Sequence, residues 1–545
     1  MKRLSALIII TVLFIGPLLA GGIVTNTNQS AMFTRMLCRD ASVQIDAVYY
    51  NPAGLTKISN GLHISLNNQT LWQWRSIKSN YPYLSSMQTT PPESEEYIGK
   101  VSAPVFPGVY AAFRFGKFAV SAGFNPVGGG GSATFETGIP SLEYPASDLV
   151  PMLATQGQPV TDYYLDAKFE GTSVFFGYQA NLSYAITDMI SVAVGGRFVT
   201  AKETYAGHLR DIDITLGGIP TPATDFFAAA SAQYTTAATT ANSGATDLQA
   251  QITAGTYGLT DPLTDPVAQA RLTGLGINWT GFDNQTALGA FAAAEASATT
   301  SAAQTAAASQ ALADQEVDAE KTATGFTPIV SVNISPIDML NIALKYEFRT
   351  KLEFTNSADA DKQGLVGFDP LTGNPKYLFE DGAKTHLDMP AMLSAGVSVS
   401  PGPITVMGGF HYYFDKGVDW DGDEDYVERG SYELGLGVEV PILPMLKVSA
   451  GYLKTSPGVK DEYQTDMNYT LRSNSVGGGL EFNISPLIDL NLGVSYTKYV
   501  DDTKTYQREL GGEGQSGIYS VLTETYAKDV TIVAVGLNIH IATGD

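Results

Sequence analysis

Val530-Thr531-Ile532-Val533-Ala534-Val535-Gly536-Leu537-Asn538-Ile539-His540-Ile541 is the stretch whose two faces decide the fold. In an extended chain Thr531, Val533, Val535, Leu537, Ile539 and Ile541 share one face, and Ile532, Ala534, Gly536, Asn538 and His540 share the other. One face is bulky and apolar; the other is too small and polar to form a core. A strand of about ten residues with this asymmetry has lipid outside and a lumen inside. A soluble β-sandwich has the same period, but it would not put glycine and asparagine where its core should be. Ser431–Val440 repeats the pattern, with Tyr432, Leu434, Leu436, Val438 and Val440 against Glu433, Gly435, Gly437 and Glu439. Asp489–Thr497 repeats it again.

The connections between such segments alternate in length. Thr187-Asp188, Ser335-Pro336-Ile337-Asp338, Pro401-Gly402-Pro403, Leu443-Pro444 and Ser485-Pro486 are short; Ser76–Ala103, Glu136–Ala167, Asp211–Thr324, Asn356–Gly382, Asp415–Arg429, Ser456–Thr470 and Asp501–Thr525 are long. Short turns on one rim and long loops on the other mark an outer-membrane barrel. Asn333-Ile334-Ser335-Pro336-Ile337-Asp338 is echoed by Asn483-Ile484-Ser485-Pro486-Leu487-Ile488-Asp489, so a hairpin unit recurs. The fold class is therefore all-β: an antiparallel transmembrane β-barrel of about fourteen strands. Aromatic pairs at strand ends (Trp72 and Trp74, Tyr163 and Tyr164, Tyr412 and Tyr413) suit an interfacial girdle. The Ala/Thr-rich segment 211–324 occupies a surface-loop position and contains helix-forming pieces such as Ala287–Asp318. It reads either as a solvated excursion or as a helical canopy that collects ligand.

Composition narrows the function. Lys2 and Arg3 before an apolar run, Leu4–Leu19, and small residues from Ala20 make residues 1–20 a signal peptide. Charged residues are only 16% of the 545, while glycine (55) and tyrosine (28) are abundant. A formal charge of −23 argues against nucleic acid, which requires clustered Lys and Arg. The single cysteine, Cys38, reads as a small apolar residue. The five histidines are scattered, and no zinc spacing, G-x-S-x-G elbow or phosphate loop occurs, so neither an enzyme nor a cofactor is expected.

Candidate sites follow from places where the strand rules are broken. Residues 21–60 are polar and precede the first convincing strand, Gly61–Arg75; polar backbone at membrane depth persists only inside protein or beside water, so this segment reads as a plug, or hatch, in the lumen of the barrel 61–545. Pro52 restricts both itself and Asn51, suiting a sharp reversal before the wall begins. Asn125-Pro126-Val127-Gly128-Gly129-Gly130-Gly131 interrupts a strand; proline and glycine there mean broken pairing, either a lateral window into the lipid or an ordinary loop. Alternation turns Arg114, Arg197, Lys345 and Arg349 inward, to hold a ligand carboxylate or to pair with Glu347, Glu433 and Glu439. Asp419, Asp421, Asp423 and Asp425 are dense enough for Ca²⁺ but lack EF-hand spacing, so a solvated acidic loop is the reading and no metal is expected.

Tyr50-Asn51-Pro52-Ala53-Gly54-Leu55, closing the polar N-terminal segment, resembles the hatch signature of the FadL/TodX family. These are outer-membrane transporters of long-chain fatty acids and other hydrophobic compounds. The resemblance implies passive transport: capture among outer loops, a pocket in the lumen, hatch movement, and lateral release beside a kinked third strand. It maps the hatch motif to Asn51, Pro52 and Ala53, and the kink to Asn125, Pro126 and Gly128–Gly131. It further implies a monomer in the outer membrane of a Gram-negative bacterium, among lipid and lipopolysaccharide. The alternative is a surface-binding or adhesion barrel acting through the large insert.

Overall fold

The computed structural model describes residues 25–84, 94–369, 372–512 and 516–542; the expected leader lies outside the described residues. The alternating segments become the wall: β1 (Gly61–Ser79), β2 (Glu95–Phe115), β3 (Phe118–Phe135), β4 (Val160–Ala185), β5 (Ile190–Leu216), β6 (Gln315–Ile337), β7 (Leu340–Glu347), β8 (Met392–Val399), β9 (Thr405–Tyr413), β10 (Tyr432–Leu443), β11 (Leu446–Ser456), β12 (Ser473–Ser485), β13 (Ile488–Tyr499) and β14 (Tyr519–Ala542). Each pairs antiparallel with the next, and β14 returns to β1, from Gly61 opposite Ala542 to Ser79 opposite Glu524. The result is a closed barrel of fourteen strands. Closure removes the exposed sheet edges that would otherwise have to be satisfied in lipid.

The two faces of the opening stretch separate as their chemistry dictates. Val533, Val535 and Ile541 are exposed on the outside, while Ala534 and Asn538 are buried inside. Leu66, Val194, Leu436 and Val494 continue the exposed apolar band around the wall. Among the described residues no helix is long and apolar enough to cross a membrane; the exposed apolar band is carried by strands. The two echoed hairpins, β6–β7 and β12–β13, sit on the short-turn rim. Each carries a register shift at its turn, between Ile334 and Ile337 and between Asn483 and Ser485.

Several strands run further outward than their alternation suggests. β2 begins at Glu95, inside the expected loop Ser76–Ala103, and Asp502–Glu509 pairs with the outer part of β14, inside the expected loop Asp501–Thr525. Outside the lipid both faces meet water, so the ladder persists while its apolar signal fades. The insert differs at its bounds for the same reason. β5 continues to Leu216 and β6 starts at Gln315, with Leu209 opposite Gln315.

Residues 25–60 lie inside the ring, with α1 (Ala31–Thr34), α2 (Ala47–Tyr50) and a 3₁₀ turn at Pro52–Lys57. Two short helices, α3 (Pro140–Ser147) and α4 (Leu149–Thr155), lie in the loop between β3 and β4. The insert is a helical hairpin: α5 (Ala223–Thr253), α6 (Pro266–Gly274) and α7 (Asn284–Ala311). The expected helix Ala287–Asp318 therefore stops at Ala311, because Asp318 pairs with Ala206 in the wall. α5 and α7 pack through Ala241, Leu248, Ala287 and Phe291; a Cβ on Gly244 would fall 2.4 Å from the Phe291 ring, so glycine sets this approach.

Candidate functional site

Small lumen-facing residues of the wall make room for the hatch. A Cβ on Gly451 would lie 1.8 Å from the Met36 carbonyl, one on Gly477 2.5 Å from the Thr34 carbonyl, and one on Gly396 2.6 Å from the Ala41 nitrogen. The polar lumen residues then bind it. Arg35, fully buried, donates from Nη2 to Glu481 (2.6 Å) and from Nε to Asn491 (3.0 Å), and its Nη1 meets Glu439 and Ser449. Asp40 accepts from Ser394 Oγ at 2.7 Å and pairs with His411, whose other ring nitrogen lies 2.8 Å from Glu433.

The Asn51-Pro52-Ala53 run ties the end of the hatch to three strands. Asn51 Nδ2 donates to Asn333 Oδ1 (2.7 Å) and to the Ser42 carbonyl (3.0 Å). The Pro52 carbonyl accepts from Ser183 Oγ at 2.7 Å; the Ala53 N–H donates to Ser331 Oγ at 3.0 Å and its carbonyl accepts from Ser191 Oγ at 2.8 Å. Side chains of β4, β5 and β6 thus hold the first turn of this 3₁₀ segment.

The wall itself is incomplete between β2 and β3. Val109–Phe115 pairs with Phe118–Phe124, and Gly99 and Lys100 pair with Phe135 and Thr134, but residues 101–108 and 125–133 do not pair with each other. On its other side β3 stays joined to β4, with register slips between Pro126 and Gly128 and between Gly128 and Gly131. Gly129 has φ +92°, and a Cβ there would lie 2.3 Å from the Ser173 carbonyl, so no larger residue fits unstrained. Pro104 and Pro107 on β2 lack the donors that would close the gap from the facing side. These two prolines are the second half of the signal in the sequence, the facing half of the Asn125–Gly131 run.

The first described residues of the hatch occupy the edge that β2 leaves free. Thr25 bridges Gly128, the Asn26 N–H donates to the Val127 carbonyl (3.0 Å), and Gln29 Nε2 donates to the Pro126 carbonyl (2.8 Å). Asn125 Nδ2 donates in turn to Gln29 Oε1 at 2.6 Å. Behind them is a lumen cavity of about 340 Å³, bounded by Thr25–Asn28, Phe33 and Leu37 of the hatch and by Gly129–Gly131 of the break. That volume is in the range of small-molecule sites, about 300–1,000 Å³.

The four cations read from alternation lie elsewhere. Arg197 donates to Glu347 from Nη1 (2.7 Å) and Nη2 (3.0 Å), and Lys345 Nζ reaches the same carboxylate at 2.7 Å; both lie against the Tyr49 ring, at 4.9 and 4.6 Å. Arg114 bonds the carbonyls of Ile58 and Gly116, and Arg349 pairs with Asp388 at 3.3 Å. None of the four lines the cavity; Arg75 and Lys528 do. In the outer acidic loop, ligand atoms of Asp419 and Asp421 come within 4.8 Å of one another and of His386, while Asp423 and Asp425 fall outside that group. Burial and the neighbouring carboxylates of Glu424 and Asp421 push Asp423 up to about 6.

No protein-family model matches the chain, and no curated protein matches it. Solved structures do. A FadL homologue from Pseudomonas aeruginosa is 11% identical, with a TM-score of 0.55, covering 95% of this chain and 99% of that one. The toluene transporter TodX of Pseudomonas putida is 12% identical, with a TM-score of 0.48 over 92% and 95% of the two chains. The toluene transporter TbuX of Ralstonia pickettii is 12% identical, with a TM-score of 0.46 over 96% and 98%. At 11% identity the likeness to the FadL homologue is one of fold.

Proposed function

We propose that this chain is a FadL/TodX-type passive channel of a Gram-negative outer membrane, which moves hydrophobic compounds, long-chain fatty acids foremost, from the outer loops into the membrane. The observation that carries the reading is the unpaired stretch between β2 and β3, with a lumen cavity at its back and hatch residues Thr25–Gln29 bonded to its edge. Lipopolysaccharide resists direct entry of greasy molecules into the outer leaflet, whereas burial in a dry pocket supplies about 0.8 kcal/mol per methylene. Leaving sideways spares the ligand a return to water. The hatch would have to give up its bonds to Val127 and Pro126 for the break to open, so ligand entry and hatch movement are coupled. Asn51, Pro52 and Ala53 hold the other end of the hatch fixed while its N-terminal part moves.

Two experiments test this. Cells lacking their own transporter should take up a labelled long-chain fatty acid when this chain is present. In a Cys38→Ala background, a cysteine pair across the break, one within 102–107 and one within 128–131, should block that uptake when oxidised and restore it on reduction. Full uptake with the bridge formed removes the lateral route.

A further inference from the structure

Around much of the wall the outer face stays apolar up to the level where strands leave the hydrocarbon, about 9–11 residues from the short turns. Phe198 on β5, Phe326 on β6, Leu434 on β10, and Phe348 and Phe414 just beyond β7 and β9 are all exposed near that level. On β11 and β13 the same level carries lysine instead. Lys454 is the ninth residue of β11 and Lys498 the eleventh of β13, and both are exposed. The strand between them sets Asn474 opposite both. Arg472, also exposed, comes two residues further out than Asn474. Lys454, Lys498 and Arg472 thus gather on one outward patch of a chain whose formal charge is −23.

An aromatic row runs just below this patch. Tyr452 stands opposite Val476, Val476 opposite Tyr496, Tyr496 opposite Thr531, and Thr531 opposite Trp72. Tyr452, Tyr496 and Trp72 are exposed, as a girdle at headgroup level requires. Lys454 and Lys498 follow the two tyrosines by two residues, about 7 Å along the strand, which places them among the headgroups. The Tyr452 hydroxyl donates to Asn474 Oδ1 at 2.5 Å, leaving the Nδ2 donors of Asn474 for another acceptor. Lys498 meets Asp529 at 3.0 Å and lies near Asp501. Among the described residues Lys454 and Arg472 pair with no carboxylate.

We propose that Lys454, Asn474, Lys498 and Arg472 form a docking site on the outside of the barrel for the phosphate headgroup of an outer-leaflet lipid, the lipid A of lipopolysaccharide. The inference rests on the outer-membrane reading and adds to it a defined lipid contact. Phosphate oxygens suit this donor set, since ammonium, guanidinium and amide groups all donate to them and the first two also answer their charge. Below the patch the exposed side chains of Val448, Val476 and Val494 offer an apolar surface for acyl chains, with Tyr452 and Tyr496 at its upper border. A free phosphate has no chains to lay along that surface. β14, β1 and β2 separate the patch from the wall break, so a lipid held here leaves the break clear.

The test is binding of radiolabelled lipid A to the full-length protein in detergent, with EDTA present so that no divalent ion bridges lipid and carboxylate. Lys454→Gln, Arg472→Gln and Lys498→Gln should each weaken binding roughly 5-fold, and all three together about 100-fold. Lys454→Arg should keep the affinity, and dephosphorylated lipid A should bind wild type no better than it binds the triple variant. Lys351→Gln with Lys416→Gln removes two exposed cations elsewhere on the outer rim and should change nothing. Heat-modifiable migration confirms that each variant is folded. An equal loss in the Lys351 and Lys416 variant leaves only net charge and overturns the site. Equal binding of the dephosphorylated lipid overturns it too, as does displacement of lipid A by inorganic phosphate at equal concentration. Absence of the protein from the outer-membrane fraction of cells would overturn the membrane reading itself.

Discussion

Gly129 shows how much of the proposed exit depends on one residue. Its φ of +92° is strained for any residue with a Cβ, and the Ser173 carbonyl occupies the space that Cβ would need. Gly129→Ala should lower barrel stability by about 1–3 kcal/mol in denaturant titration, and shift uptake with it; an unchanged midpoint would mean that the break tolerates a regular strand. Asp466 makes a prediction in pH. Burial and the nearby Glu524 hold its folded-state pKa at about 7, above the ordinary 3.8, so the folded outer loop binds this proton more tightly than the unfolded chain. Its contribution is complete below about pH 4 and is lost as pH rises through about 7. The stability difference between wild type and Asp466→Asn should therefore move against wild type across that window, measured by thermal melts at stepped pH. A flat difference would place Asp466 in water. Which residues face inward could be read from alternation, as for Arg197 and Lys345; which of them the cavity uses could not. Arg75 looked like the end of a strand because the polar residues beyond it hide that the ladder continues to Ser79.

At the scale of elements the hatch is a ligand of its own barrel, held by ion pairs at one place and by glycine clearance at another. Arg35→Met would leave Glu439 and Glu481 buried with Lys447 as their remaining ion-pair partner among the described residues, at 3.6 and 2.7 Å. Removing one partner of such a group costs about 3–5 kcal/mol. The expected outcome is a loosened hatch in a closed wall: faster amide exchange over 27–50, with β10 and β12 still protected. Adding Glu439→Gln alone to the Arg35 change should restore most of the protection, since Lys447 then pairs with Glu481 at 2.7 Å and neither is left unmatched. Gly451→Val attacks the same contact from the wall side, where the Met36 carbonyl leaves no room; it should raise exchange in the hatch without touching the ion pairs. The polar composition of 21–60 and its position before β1 announced a segment inside the wall, because polar backbone has nowhere else to go at that depth. Its ion-pair partners on the wall did not show, since they lie hundreds of positions away, as Glu481 does from Arg35.

For the whole molecule, the two readings of function diverge at the helical insert. α5, with 31 residues, reaches about 46 Å if straight, and its base is seated on the barrel. Phe227 and Leu312 pack with Ile212 and Ile214 of β5 in one buried cluster. Because Leu209 and Gln315 already stand opposite each other in the wall, the insert enters and leaves at one place and its removal opens no gap. The Ala/Thr-rich composition could not decide between a solvated excursion and an ordered canopy, since the apolar seam is thin; Gly244 against Phe291 is a contact that only folding reveals. Replacing residues 223–312 with a short Gly/Ser turn should give a barrel that still migrates as heat-modifiable, with a melting temperature near that of wild type. If the wall break and cavity make the function, such cells keep fatty-acid uptake, slowed at most by poorer capture at the mouth. If the hairpin is an adhesin mounted on an inert scaffold, the deletion abolishes surface binding and wild-type cells show no uptake to lose. The break between β2 and β3 favours the first outcome, because a scaffold built only to display a hairpin gains nothing from an unpaired stretch in its wall with hatch residues bonded across the edge.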